Sequence, residues 1–223
     1  MSIIEFIKSS KEYFEDYITR CTYHSNGIEG STLSYAETYA VLFNDNSFKV
    51  EAKPREIYEA INHKYALGYV LNLQDNYLTE KIIKDIAIYI NKNISDIDGY
   101  RKTQVFIKGA EHIPPAANMI NQEMMYFVHN YNNTVYDSIF DKIAYNHIQF
   151  ESIHPFEDGN GRTGRLLINF ELLHNDIAPV IIPKEERATY FEMIARRDAK
   201  GLSQYFYELS NSEKERLCKF GYK

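Results

Sequence analysis

Twelve residues in the C-terminal half, His154-Pro155-Phe156-Glu157-Asp158-Gly159-Asn160-Gly161-Arg162-Thr163-Gly164-Arg165, join a base, carboxylates, a Gly-Asn-Gly turn and two arginines. The leucine-rich run that follows, Leu166-Leu167-Ile168-Asn169-Phe170-Glu171-Leu172-Leu173, reads as helix, so the turn falls where a loop becomes a helix N-terminus. Unpaired backbone N–H groups and the positive end of the macrodipole make such a place an anion cradle. Arg162 and Arg165 are three apart and emerge on one helix face beside it. Their planar forks suit phosphate oxygens. Asp158 is the hard oxygen ligand that a Mg²⁺ shared with phosphates requires. His154, with an ordinary pKa of about 6.5, is mostly neutral at pH 7 and can accept a proton. Base, metal ligand, cradle and charge clamp together describe attack on a nucleotide phosphate.

Helices must position these groups. Ser2 can cap a first helix through Ile3, Phe6, Ile7, Tyr13, Phe14, Tyr17 and Ile18, running towards residues 22–31. Ser34 with Glu37 is a capping box for the next helix. Pro54 opens a helix to about residue 73, and Thr79 caps one over 80–91. Residues 99–115 depart from helix. Gly99-Tyr100-Arg101, Val105-Phe106-Ile107, a Lys108-Gly109 turn and His112-Ile113 before Pro114-Pro115 read as a short β-hairpin. Helices resume at about 116–129 and 137–152, the second delivering His154. The motif helix runs to about 174. An extended connector, 178–183, then leads into helices at about 185–198 and 203–219.

The 223 residues, 44% hydrophobic, can bury a real core. A net charge of −6 argues against a nucleic-acid surface, so the arginines are read as local phosphate ligands. Cys21 and Cys218 have no partner spacing, which favours a reducing, cytoplasmic setting. No apolar run approaches a membrane span, and the start is unlike a signal peptide. His24, His63, His112, His129, His147 and His174 are not at metal-ligand spacing and are read as surface or core residues.

The twelve-residue stretch resembles the signature of the Fic family, His-Pro-Phe-x-Asp-Gly-Asn-Gly-Arg-x-x-Arg, at every position. The resemblance implies a mainly α fold, a Fic-type helical bundle with one short β-hairpin, the flap, over the active site. It implies a protein adenylyltransferase that moves AMP from ATP to a Ser, Thr or Tyr hydroxyl of a protein, self-modification included. His154 would be the base and Asp158 the Mg²⁺ ligand. Gly159, Asn160 and Gly161 would hold phosphate oxygens, with Arg162 on the departing pyrophosphate and Arg165 on the γ-phosphate. The branch that phosphorylates usually carries lysine where Gly161 stands, so glycine favours AMP transfer. Gly99, Tyr100, Arg101, Val105, Phe106 and Ile107 would form the flap that docks the target by strand addition. Tyr190 or Phe191 would stack on the adenine, with core packing the equal alternative for either. At Asp198 the family often has asparagine.

Ser25-Asn26-Gly27-Ile28-Glu29-Gly30 resembles the family's inhibitory motif, as in the class with an N-terminal inhibitory helix (class II). The plainer alternative is a helix C-terminus with a loop glycine. In the inhibitory reading Glu29 pairs with Arg165 and displaces the γ-phosphate. The implied organisation is an N-terminal helical region, 1–75, and a core with C-terminal helices, 76–223, packed as one globular unit. ATP and a protein substrate are the implied partners, with a second copy of the chain left open. Alternatives are removal of AMP or two-way action, transfer of UMP or phosphocholine, and, last, a non-catalytic nucleotide-binding regulator.

Overall fold

The computed structural model describes all residues except 44–48 and 107–111. Its helices follow the local signals closely. Ser2 caps α1 (Ile3–Ser9) with a full capping box to Glu5. Here the expected single N-terminal helix divides, because the Ser10 hydroxyl accepts from the Tyr13 N–H and starts α2 (Lys11–Ile28) afresh. The Ser34–Glu37 box opens α3 (Tyr35–Phe43), Pro54 opens α4 (Pro54–Asn72) and Thr79 caps α5 (Glu80–Asn91). After a 3₁₀ turn (Ala117–Met119), α6 (Ile120–Asn133) leads to α7 (Ile139–Ile153) and then α8 (Asn160–His174). A second 3₁₀ turn (Lys184–Glu186) precedes α9 (Arg187–Ala195), and α10 (Ala199–Lys219) ends the fold.

Among the described residues there is no β-strand, so the expected hairpin is not seen in them; its turn lies outside the described residues. The two flanking limbs are instead held by side chains. Gln104 Nε2 donates to the Pro114 carbonyl at 3.2 Å, and Arg101 Nη2 donates to that of Pro115 at 2.6 Å.

Two apolar clusters meet on α8. The larger draws on α1, α2, α4, α5, α6 and the end of α10, and takes Leu166, Leu167, Phe170 and Leu173 from α8. The smaller gathers α7, α9 and the start of α10 around Ile168 and Leu172. Burial on both sides leaves α8 with almost no exposed residue until His174. A helix seated in this way is held against tilting by both cores, which gives the motif residues at its start a rigid base.

Helix α2 reaches α8 from the side. The Tyr13 hydroxyl and Arg20 both donate to Glu213 of α10, at 2.6 Å each, while Asp16 accepts from Arg216 at 2.5 Å. These bonds aim the C-terminal end of α2 at the N-terminus of α8.

Candidate active site

The motif loop is built between two helix ends. α7 stops at His154, whose backbone is left-handed (φ +50°) while its N–H still bonds the Phe150 carbonyl at 3.0 Å. Histidine tolerates that region better than most residues. Phe156, fully buried, anchors the loop in the larger core. Asn160 then closes it: its Oδ1 accepts from the Phe156 N–H at 2.9 Å and its Nδ2 donates to the Phe156 carbonyl at 2.8 Å. Gly159 caps α8 at φ +78°, and a Cβ there would sit 2.7 Å from Asn91 Nδ2. Only glycine fits both the dihedral and the space. The first helical bond of α8 runs from the Thr163 N–H to the Gly159 carbonyl, which leaves the N–H groups of Asn160, Gly161 and Arg162 facing forward as the cradle.

Arg101, expected on the target-docking flap, is 3% exposed and serves the loop instead. Its Nε donates to the His154 carbonyl at 2.8 Å, its Nη1 to Thr103 at 2.9 Å, and its own N–H to Pro155 at 2.9 Å. A cation at the C-terminal end of α7 also meets the negative end of that helix. Arg101→Ala should therefore destabilise the fold by roughly 3 kcal/mol, since buried carbonyls lose their donor. Denaturant unfolding checks this, and a loss below roughly 0.5 kcal/mol contradicts the clamp.

Two charge clusters flank the cradle. On one side Asp158 accepts from Arg162 Nη2 at 3.1 Å and from the Gly159 N–H at 2.6 Å, and it pairs with Arg55 of α4. Glu59, one turn along α4, accepts from Arg55 Nε at 3.0 Å and lies 3.3 Å from Arg162 Nη1. Burial alone would raise the Asp158 pKa, but Arg162 and Arg55 bring it below the usual carboxylate range. An ionised carboxylate beside an anion cradle fits a Mg²⁺ ion. Among the described residues no three His, Cys, Asp or Glu gather for a metal, so further oxygens would come from a nucleotide.

On the other side Arg165, 6% exposed, donates from Nε to Ser25 Oγ and from Nη2 to the Ser25 carbonyl, both at 3.0 Å, and from Nη2 to Glu29 Oε1 at 2.6 Å. A Cβ on Gly161 would lie 2.5 Å from the same Glu29 oxygen. The Glu29 carboxylate thus rests on the first turn of α8 as well as on Arg165, at the positive end of that helix. Burial alone would lower the Arg165 pKa, but Glu29 and Tyr190 raise it overall. His154, between the clusters, has its pKa lowered by burial, partly offset by the Glu151 backbone, so its ring stays neutral.

Behind Arg165 lies a further buried group. Tyr190, fully buried in the smaller core, stands with its hydroxyl 2.5 Å from His147 Nε2 and its ring stacked on the imidazole. Burial pushes His147 down to about 3. Of the two aromatic candidates for the adenine, then, Tyr190 is occupied and Phe191, 37% exposed under Arg187, faces solvent. Burial pushes Glu151 up to about 7, with Arg165 lowering and Glu29 raising it. An acid whose folded pKa lies above its unfolded 4.5 loses stability as pH rises from 4.5 to 7, because only the unfolded chain ionises there. Glu151→Gln should consequently gain on the wild type by about 3 kcal/mol at pH 8 and by little at pH 4.5. Urea unfolding at both pH values checks it, and a pH-independent difference contradicts it.

The remaining expected residues are dispersed. Tyr100 is buried, its ring 5.6 Å from that of Phe156, whereas Phe106 is 77% exposed and Ile107 lies outside the described residues. Gly99 has φ +80° and Val105 is half-buried. Asp198 caps α10, accepting from the Gly201 N–H at 2.8 Å. Arg55, Glu59 and Glu151 carry no role in the sequence reading, and His147, read as a surface or core residue, is buried. Arg55 and Glu59 carry a visible signal as an i,i+4 charge pair, one that describes any exposed helix equally well.

Residues 77–172 match the model of the Fic/DOC family. The chain carries a Fic/DOC family domain. It is similar to the protein adenylyltransferase Fic of Drosophila mojavensis, 34% identical over 194 residues that cover 84% of this chain and 37% of the fly protein. The mosquito Aedes aegypti has a protein of the same name, 32% identical over 84% of this chain and 38% of its own length. The chain thus spans less than two-fifths of these curated relatives. A Fic domain-containing signaling protein from Bacteroides thetaiotaomicron shares the fold, with a TM-score of 0.82 at 23% identity over 97% of this chain and 90% of that one. So does a Fic family protein from Desulfovibrio desulfuricans, with a TM-score of 0.78 at 21% identity over 99% and 70%. No helix among the described residues is long and apolar enough to cross a membrane.

Proposed function

We propose that this Fic domain transfers AMP from ATP to a protein hydroxyl and that Glu29 holds it inactive, as in the class with an N-terminal inhibitory helix. The observation that carries the reading is the Glu29 carboxylate, which lies against both Arg165 and the first turn of α8. An internal anion seated on an anion cradle is what an inhibitor of phosphate binding looks like. The names of the fly and mosquito relatives supply the group transferred.

In the reaction, neutral His154 takes the proton of the attacking Ser, Thr or Tyr hydroxyl. The hydroxyl oxygen bonds the α-phosphorus, the bond to the bridging oxygen of the β-phosphate breaks, and pyrophosphate leaves. The forward N–H groups of Asn160, Gly161 and Arg162 bind phosphate oxygens, and Arg162 takes up charge on the leaving group. Arg165, freed from Glu29, binds the γ-phosphate. Asp158 would hold a Mg²⁺ ion, which would supply charge neutralisation to the nucleotide phosphates. Phe191 is the surface aromatic for the adenine. Residues 99–106 would frame the target, with Arg101 fixing the loop and Phe106 offered outward. Residues 1–75 are then the regulatory part and 76–223 the catalytic part.

The test is label from α-³²P-ATP on Glu29→Gly protein with Mg²⁺, alone and with added cell protein, beside Glu29→Gly/His154→Ala. Label with the first variant alone supports the reading. Bound ATP with no label on any protein sinks it.

A further inference from the structure

Asp158 has two oxygens, and both are occupied by cations of different standing. Oδ1 accepts from Arg162 Nη2 at 3.1 Å and from the Gly159 N–H at 2.6 Å. Arg162 is itself 3% exposed at its side chain and faces Glu59 at 3.3 Å, so it is a fixed part of the core. Oδ2 pairs with Arg55, whose side chain is 56% exposed and comes from α4, 103 residues away in sequence. Oδ2 is therefore the oxygen that a divalent ion could reach, and a guanidinium is already on it.

Arg55 also has somewhere to go. Its Nε donates to Glu59 Oε1 at 3.0 Å, so leaving Asp158 does not strand its charge. The four groups, two arginines and two carboxylates, are neutral together. Exchanging a monovalent guanidinium for a divalent ion gives the site excess positive charge, which a polyphosphate would offset and an empty cradle would not.

We propose that Arg55 is a resident counter-cation of Asp158, a positioning residue that holds the carboxylate until metal and nucleotide arrive together. The proposal rests on the nucleotide reading above. Arg55 keeps Asp158 aimed while no metal is on Oδ2, competes with a divalent ion for that oxygen, and withdraws to Glu59 when metal and nucleotide bind. A purely structural Arg55 would change stability and leave metal coupling as it was.

The experiment measures ADP binding by calorimetry in EDTA and in Mg²⁺, and takes the ratio of the two dissociation constants. ADP carries the α- and β-phosphates and lacks the γ-phosphate for which Glu29 would compete. Arg55→Met should raise that ratio at least fivefold, by removing the competitor in Mg²⁺ and leaving a bare carboxylate facing phosphates in EDTA. Arg55→Lys should return it towards the wild-type value. Asp158→Asn should bring it close to one whatever stands at position 55. Arg55→Gln serves if the methionine variant does not fold. An unchanged ratio in the neutral variants overturns the proposal with the nucleotide reading intact. Absence of ADP binding in every protein, wild type included, overturns the nucleotide reading itself.

Discussion

Glu29→Gly should raise the initial rate of AMP transfer about a hundredfold. The argument is one of competition for a single guanidinium. Arg165 is 6% exposed and donates to Glu29 at 2.6 Å, and the same carboxylate lies over the first turn of α8. A γ-phosphate must break this charge-assisted pair before it can take its place. If breaking it costs roughly 3 kcal/mol, at 1.4 kcal/mol per tenfold, productive binding is suppressed about a hundredfold. Glycine removes the competitor without adding bulk. Glu29→Gln, which keeps the shape and loses the charge, should fall between the two. Rates with α-labelled ATP decide the matter, and a rate within twofold of wild type in folded, ATP-binding Glu29→Gly protein goes against the inhibitory role.

His154→Ala, placed in the active Glu29→Gly protein, should lower the rate between a hundredfold and ten-thousandfold, the range for loss of a positioned general base (~10²–10⁴). ATP binding should survive, because the cradle is built from backbone groups of α8. The pH profile adds a second check. Only neutral imidazole can take the proton, and burial lowers the His154 pKa from its ordinary 6.5. The rate should hold steady as pH falls through 6.5 and decline only below it. A midpoint at or above 6.5, or an alanine variant as fast as its parent, would falsify the assignment.

Much of the fold was legible because its signals are local. The Ser34–Glu37 box, Pro54 and Thr79 each start a helix within reach of their own backbone, so no tertiary knowledge was needed. Ser10 gives no start signal of its own, since the Ser9-Ser10 pair within an apolar periodicity reads as surface positions on one continuous helix. The hairpin reading rested on Gly, Pro and β-formers, which describe extended chain without guaranteeing a paired partner. At the site, the motif announced its own residues, and the separate Ser25–Glu29 pattern led to the partner of Arg165 across 136 residues. What could not be read was the second set of partners. Nothing in Arg55-Glu56-Ile57-Tyr58-Glu59 says that its first and last members will meet Asp158 and Arg162. Likewise the resemblance places Arg101 on the docking flap, and only the packed loop shows four carbonyls around its guanidinium.

Helix α8 is sealed between two cores, while the groups that meet its charged end arrive on separate pieces: α2 with Glu29, α4 with Arg55, and the segment after α5 with Arg101. The molecule is therefore divided like a lock with exchangeable wards. On the proposed function, a change at Glu29 at the end of α2 would alter when the cradle is open, and a change around residues 102–106 would alter what is presented to it. Neither touches the two cores that seat α8. Substitutions in these pieces reach α8 only through the charged contacts at its first turn, while its seat between the two cores is left as it is.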